Sequence, residues 1–139
     1  MQQFLETILS ITSEAEEIPK SYFRQGIEID KKQDETPVTA ADRATEEHIR
    51  NALAYHFPDH GIFGEEFGLS ENNSDYQWVI DPIDGTRAFI QGGKDWSHAL
   101  SVVENGRVIA AAVYLPVRDL MYTATLGGGA RLNGAPMLC

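Results

Sequence analysis

Residues 76–86 read YQWVIDPIDGT, an apolar run that leads directly into two aspartates. The apolar run predicts a strand, so Asp81 and Asp84 follow at its carboxyl end. Two carboxylates three residues apart, across a turn that Pro82 stiffens, can converge on one point. Their oxygens suit a hard cation such as Mg²⁺, and Gly85 allows the backbone to approach a ligand closely. The alternative interpretation is an ordinary β-turn, because Asp, Pro and Gly all favour turns.

Two further acidic elements lie upstream of this stretch. Gly64-Glu65-Glu66 follows a short predicted strand at Ile62-Phe63, and a glutamate there can share a cation with two aspartates from a neighbouring strand end. Adjacent acids after a glycine are also common on protein surfaces. Val38-Thr39-Ala40-Ala41-Asp42 precedes an apolar helical stripe, and a helix cap alone would account for Thr39 and Asp42.

Hydrophobic periodicity around these elements predicts an α+β fold, with two N-terminal helices packed on an antiparallel sheet. The first helix is expected from about Gln3 to Phe23, with Pro19 as a kink or an early end. The second is expected from Thr39, with Asp42 in a near capping box, to a stop at Pro58. Polar loops are expected at 31–37 and 69–75. The predicted strands are 26–30, 62–63, 76–80, 97–103, 107–115 and 120–125, with a hairpin at Asn105-Gly106.

The bulk composition narrows the function classes. The chain has 139 residues, 42% hydrophobic and 23% charged, which is enough for a buried core. A formal net charge of -10 argues against nucleic-acid or anionic-membrane partners. One cysteine, Cys139, and an N-terminus without a signal-peptide pattern favour a cytoplasmic protein. If the substrate is a phosphate, so acidic a protein needs a cation between the two.

The three acidic elements, in their order, resemble the inositol monophosphatase family. That family shows a Val-Thr-x-x-Asp helix start, a Gly-Glu-Glu turn and Asp-Pro-[Ile/Leu]-Asp-Gly-Thr, matched here at 38–42, 64–66 and 81–86. The later stretch at 127–134 is similar to its Gly-x-Gly-Ala-x-x-Asn-Gly turn. The resemblance covers nearly the whole chain and implies the first half of a layered αβαβα fold. On this reading residues 1–139 are the metal-binding N-terminal domain, and the C-terminal α/β domain is absent from the chain.

The resemblance implies roles for individual acids. Glu65 and Asp81, with the backbone carbonyl of Ile83, would hold one Mg²⁺. Asp81 would bridge to a second ion that Asp84 also binds. Asp42 would act through water near a third, weaker ion, so two or three Mg²⁺ are expected per site.

The resemblance also implies residues that handle substrate and water. Thr86, hydrogen-bonded toward Glu65, would orient the attacking water, and Glu66 would support the cluster without touching a cation. Gly85 and Thr86 would offer backbone N–H groups to the phosphate. The implied catalytic residues are Glu65, Thr86 and Asp81, and the implied substrate-binding residues are Asp84, Gly85 and Thr86. Lys31 falls where the family often places a lysine on a mobile loop.

The activity that the resemblance implies is Mg²⁺-dependent hydrolysis of a small phosphorylated metabolite, with inositol 1-phosphate as the leading substrate. Arg87 differs from the asparagine often found after the threonine. A basic residue there occurs in members acting on histidinol phosphate and 3′-phosphoadenosine 5′-phosphate, so both remain alternatives, as does a non-catalytic metal-binding fragment. The family is often homodimeric, and the apolar run 109–115 could contribute to such a surface.

Overall fold

The fold consists of three helices and eight strands in a computed structural model that describes residues 2–23, 37–70, 74–85, 88–89 and 91–137. The helices are α1 (Gln2–Ala15), α2 (Glu17–Phe23) and α3 (Pro37–His56). The strands are β1 (Gly61–Gly64), β2 (Gly68–Ser70), β3 (Tyr76–Asp84), β4 (Ser97–Glu104), β5 (Arg107–Leu115), β6 (Leu120–Thr125), β7 (Gly129–Leu132) and β8 (Ala135–Pro136). None of the helices within these ranges is long and apolar enough to cross a bilayer.

One sheet contains all eight strands, in the order β2-β1-β3-β4-β5-β6-β7-β8. Every neighbouring pair is antiparallel except β1 and β3, which run parallel. Helix α1 lies against β4 and β5, and α3 lies against β3. The predicted α+β class is confirmed, with one parallel pair that the sequence did not indicate.

The N-terminal helical segment is interrupted earlier than its proline suggests. The segment to Phe23, expected to be kinked or ended early by Pro19, consists of two helices, since α1 ends at Ala15 and α2 begins at Glu17. A proline ring clashes with the carbonyl four residues before it, which for Pro19 is that of Ala15. The break therefore falls where the clash would occur, and Pro19 lies in the first turn of α2, where its missing N–H costs nothing.

Helix α3 begins two residues before the predicted start. Thr39 lies inside its first turn rather than at its cap, because Pro37 occupies the first helical position. Proline is favoured there, since the N–H that it lacks would have no partner within the helix. The predicted stop before Pro58 is confirmed by the last residue, His56.

The strands predicted between residues 97 and 125 are confirmed, but the edge strand β2 was predicted as a loop. The hairpins at Asn105-Gly106 and Asn133-Gly134 each place both residues at positive φ, as two-residue turns of this kind require. Leu69 and Ser70 belong to strand β2 rather than to the predicted loop. The predicted strand 26–30 lies outside the described residues.

The main core fills the space between the helices and the sheet. Its fully buried members include Ile8 of α1, Ile49 and Leu53 of α3, and Trp78 and Val102 of the sheet. A second, smaller cluster of Ala41, Ile83, Phe89 and Trp96 lies around the end of β3. The acidic stretch is therefore packed against buried apolar side chains.

One buried histidine belongs to the core and not to a catalytic site. His98 is fully buried, and its Nε2 lies 2.8 Å from the carbonyl oxygen of Thr12. A carbonyl oxygen only accepts, so Nε2 carries a proton. Burial lowers the pKa of His98. The Ser97-His98 pair is thus strand structure, as the lack of a triad context indicates.

Candidate metal centre

The two aspartates of the signature stretch lie on the same face of the sheet because of a β-bulge. Asp81 pairs with Ala99 and Asp84 with Ser97, so three steps along β3 match two along β4. Residues two apart on β4 share a face, and cross-strand partners share it too. Without the extra residue, side chains three apart would point to opposite faces. The two aspartates therefore share a face through a bulge within a strand, where the sequence suggested a turn.

The parallel pairing of β1 and β3 brings the Gly-Glu-Glu element beside Asp81. Gly64 is opposite Ile80, so Glu65 and Asp81 are the next residues along two parallel strands and emerge at one edge of the sheet. Glu65 is exposed at this edge and Glu66 is half-buried. The sheet therefore places the glutamates and the aspartates together although they are distant in sequence.

Helix α3 adds Asp42 to this edge, and the electrostatics show how close the acids are. Burial raises the pKa of Asp42 to about 7, and repulsion from Glu66, Glu65, Asp81 and Glu46 adds to the effect. A carboxyl with that pKa is partly protonated at neutral pH. The cluster therefore holds more carboxylates than it can ionise without a positive partner.

The other acids show the same mutual repulsion. The pKa of Asp81 is raised to about 6, first by burial and then by Asp84 and Glu65. The pKa of Glu66 is also raised, by burial and by Glu65 and Glu46, and Arg43 partly offsets this. We call Asp42, Glu65, Glu66, Asp81 and Asp84 the acidic cluster.

The acidic cluster fits a hard cation in donor type and in charge. The Oδ1 atoms of Asp42 and Asp81 are both buried without a hydrogen-bond donor among the described residues. A buried acceptor without a partner is costly, and a divalent cation would satisfy both oxygens and the excess charge. Within the same residues, no three His, Cys, Asp or Glu side chains are close enough to form a complete metal site. The carboxylates thus converge without forming a coordination shell.

The remaining predicted site residues differ in what the structure says of them. The side chain of Ile83, which lies within the bulged segment, is buried in the second cluster. Gly85 has φ 87°, and a Cβ there would lie 2.9 Å from the carbonyl oxygen of Asp95, so only glycine fits. Thr86, Arg87 and Lys31 lie outside the described residues, and their assigned roles stay predictions.

Two residues that the sequence did not single out complete the site's surroundings. Glu46 of α3 is fully buried; its Oε1 accepts the backbone N–H of Glu66 at 2.9 Å, and its Oε2 accepts that of Phe67 at 3.0 Å. Arg50, one turn along, donates from Nε to Glu46 Oε2 at 2.9 Å. The only signal in the sequence is that Asp42, Glu46 and Arg50 are spaced by four and share a helix face.

The raised pKa of Asp42 predicts how the stability of the cation-free chain depends on pH. The folded state binds this proton more tightly than the unfolded state, so the stabilisation is lost as pH rises through about 7. Between pH 6.5 and 8, with EDTA present, the titration of Asp42 should lower the free energy of unfolding by about 1 kcal/mol in total. Urea titrations across this window would measure it.

The matched variant for this measurement is Asp42→Asn, which removes the titrating group and should flatten the slope. The window stops at pH 6.5 because the buried, neutral His98 acts with the opposite sign below its ordinary pKa. Equal slopes for the parent and Asp42→Asn would contradict the placement of Asp42 within the acidic cluster.

The fold and site define an α+β protein with an acidic, oxygen-donor centre at the ends of two adjacent strands. Residues 1–139 match the profile of the inositol monophosphatase family. The chain belongs to that family.

Individual relatives show the same similarity. The chain is 37% identical over 134 residues to a histidinol-phosphatase from Chlorobaculum parvum, covering 96% of this chain and 52% of the relative. It is 36% identical over 138 residues to an inositol monophosphatase from Dictyostelium discoideum, covering 96% and 51%. A solved inositol monophosphatase structure from Zymomonas mobilis superposes with a TM-score of 0.84 at 32% identity, covering 98% and 52%. The chain thus spans about half the length of the relatives it matches.

Proposed function

We propose that the chain is the cation-binding half of a Mg²⁺-dependent phosphomonoester hydrolase. The observation that carries the proposal is the pair of buried Oδ1 atoms of Asp42 and Asp81, for which the described part of the chain supplies no hydrogen-bond donor, within a cluster of mutually repelling acids. Family membership gives this cluster its chemical context. A bound divalent cation supplies neutralisation of the substrate phosphate, a lowered pKa for a water molecule and stabilisation of the leaving alkoxide.

The chain's own residues would bind and orient. Asp81 and Asp84, held on one face by the bulge, and Glu65 beside them would hold the cations. Asp42, which lies on α3, would act through water near a third, weaker cation. With cations bound, these acids lose the protons that repulsion retains, so cation affinity rises with pH. No side chain in this set needs to bond covalently to phosphorus.

Two substrates are favoured by separate observations. Inositol 1-phosphate is supported by the sequence motifs and by the similarity to named inositol monophosphatases. Histidinol phosphate is supported by the similarity to the Chlorobaculum relative and by the basic residue at position 87. The bisphosphate nucleotide substrate rests on that basic residue alone. Cytoplasmic localisation and a homodimer remain predictions from the sequence.

The test is phosphate release by the purified chain, with Mg²⁺ and with EDTA, from inositol 1-phosphate, histidinol phosphate and 3′-phosphoadenosine 5′-phosphate. We expect Mg²⁺-dependent release with a clear preference for one of the first two. Release that persists in EDTA would contradict the proposed chemistry. Mg²⁺ binding without release from any substrate would favour the non-catalytic alternative for this half.

A further inference from the structure

Glu46 has an environment that sequence reasoning would not assign to an acid on an amphipathic helix. Its side chain is fully buried, and its polar contacts with the described residues go to one short segment and one arginine. Burying a carboxylate is costly unless it is paired and hydrogen-bonded. Here both conditions are met, because Glu46 is paired with Arg50 and accepts two backbone N–H groups.

The segment that Glu46 holds is the turn that carries two acids of the cluster. Glu65, Glu66 and Phe67 connect β1 to β2, and Gly64 is opposite Gly68 across the turn. The two backbone N–H groups that Glu46 accepts, those of Glu66 and Phe67, belong to consecutive residues of this turn. A single carboxylate therefore fixes the peptide planes on both sides of Glu66, and with them the direction in which Glu65 and Glu66 project.

Arg50 secures the same turn from its other end. Its Nε donates to Glu46, its Nη1 donates to Ser70 Oγ at 3.0 Å, and its Nη2 donates to the carbonyl oxygen of Gly68. The guanidinium carbon also lies 5.9 Å from the centre of the Phe67 ring. Helix α3 is thus tied to the turn and to strand β2 through one ion pair whose glutamate is fully buried.

Glu46 is unsuited to bind a cation itself. Oε1 is committed to one backbone N–H, and Oε2 accepts from a second N–H and from Arg50. An ionised carboxylate is the only side chain that offers two acceptors and no donor here, whereas a glutamine would turn an N–H₂ toward one of these N–H groups.

We propose that Glu46 is a positioning residue for the cation centre, holding the Glu65-Glu66 turn in place through its two backbone contacts and its pair with Arg50. The inference rests on the proposed function, because the proposed function gives the Glu65-Glu66 turn a cation to bind. It predicts that loss of the Glu46 carboxylate weakens cation binding even where the fold survives. Residues that orient metal ligands typically change affinity by about 10–100-fold when mutated.

The test compares Glu46→Gln with Glu47→Gln, which removes the same charge from the next, exposed position of α3. Mg²⁺ affinity is measured by calorimetry, and amide hydrogen exchange is measured by NMR in EDTA. For Glu46→Gln we expect an affinity loss of about 10–100-fold. We also expect about tenfold faster exchange at Glu66 and Phe67, with β4 and β5 amides unchanged. Glu47→Gln should match the parent in both.

Three results would overturn the inference. One is a folded Glu46→Gln chain whose Mg²⁺ affinity equals that of Glu47→Gln. Another is unchanged exchange at Glu66 and Phe67. The third result applies if Glu46→Gln fails to fold, in which case Arg50→Lys replaces it as the test variant. Arg50→Lys keeps the positive charge beside Glu46 but loses the guanidinium contacts to Gly68 and Ser70. We expect it to fold and to bind Mg²⁺ several-fold more weakly, and parent-like affinity would overturn the inference.

The parent chain separates this inference from the proposed function. A parent that binds Mg²⁺ while Glu46→Gln binds it equally well removes only the positioning role. A parent that binds no Mg²⁺ removes the proposed function and, with it, the cation that the turn would serve. In that case the exchange data still report whether Glu46 holds the turn.

Discussion

Asp81→Asn should abolish Mg²⁺-dependent phosphate release and leave the cation-free chain at least as stable as the parent at pH 8. Asp81 has a buried oxygen for which the described residues offer no donor, and it lies on β3 beside the end of the parallel strand β1. Loss of several kcal/mol of charge stabilisation corresponds to a rate loss on the order of 10³-fold. The same change removes a carboxylate whose pKa is raised, first by burial and then by repulsion from Asp84 and Glu65. Activity and stability should therefore move in opposite directions.

The control for this variant is Asp75→Asn, an exposed acid just before the other end of β3. It changes the net charge equally and should leave turnover unchanged. Phosphate release and thermal unfolding in EDTA measure the two effects. Wild-type turnover in Asp81→Asn would remove Asp81 from the site, and a large drop in its cation-free stability would contradict the repulsion that its pKa indicates.

Gly64→Ala should be among the most destabilising single changes in the chain, at about 3–5 kcal/mol. A Cβ at position 64 would lie 2.2 Å from Oε2 and 2.6 Å from Oε1 of Glu46. The buried carboxylate would have to leave its place, giving up its backbone donors and its pair with Arg50. This explains in physical terms why a glycine precedes the two glutamates of the turn.

Gly61→Ala offers a matched comparison within the same buried strand. A Cβ there meets nothing nearer than the carbonyl oxygen of Ser70 at 3.3 Å. Its effect on the free energy of unfolding should be within about 1 kcal/mol. Urea unfolding in EDTA measures both variants. Similar values for the two would show that the Glu46 carboxylate is not fixed above Gly64.

The sequence indicated the residues of the acidic cluster but not the strand pairings that bring them together. The spacing of Asp81 and Asp84 across Pro82 predicted that they converge, but by way of a turn. The bulge that achieves it depends on how β3 pairs with β4, and pairing register is not written in either strand alone. Likewise, Glu65 reaches Asp81 only because β1 and β3 are parallel neighbours.

Glu46 shows the limit of helical periodicity. An acid on an amphipathic helix is expected to face solvent, and only the tertiary contact with the distant 64–70 turn makes it buried. The sequence marked the helix break before Pro19 more clearly, because a proline ring clashes with the carbonyl four residues upstream. Family resemblance assigned roles to Thr86 and Lys31 that periodicity could not, and those assignments remain predictions.

The most direct test of the central claim is calorimetric titration of the parent chain with Mg²⁺ at pH 6.5 and at pH 8, beside Asp81→Asn. The account predicts saturable binding by the parent, tighter at pH 8 because Asp42 and Asp81 have pKa values raised to about 7 and about 6, and strongly weakened in the variant. No binding by the folded parent, or equal binding by Asp81→Asn, would contradict the assignment of these carboxylates as a cation centre.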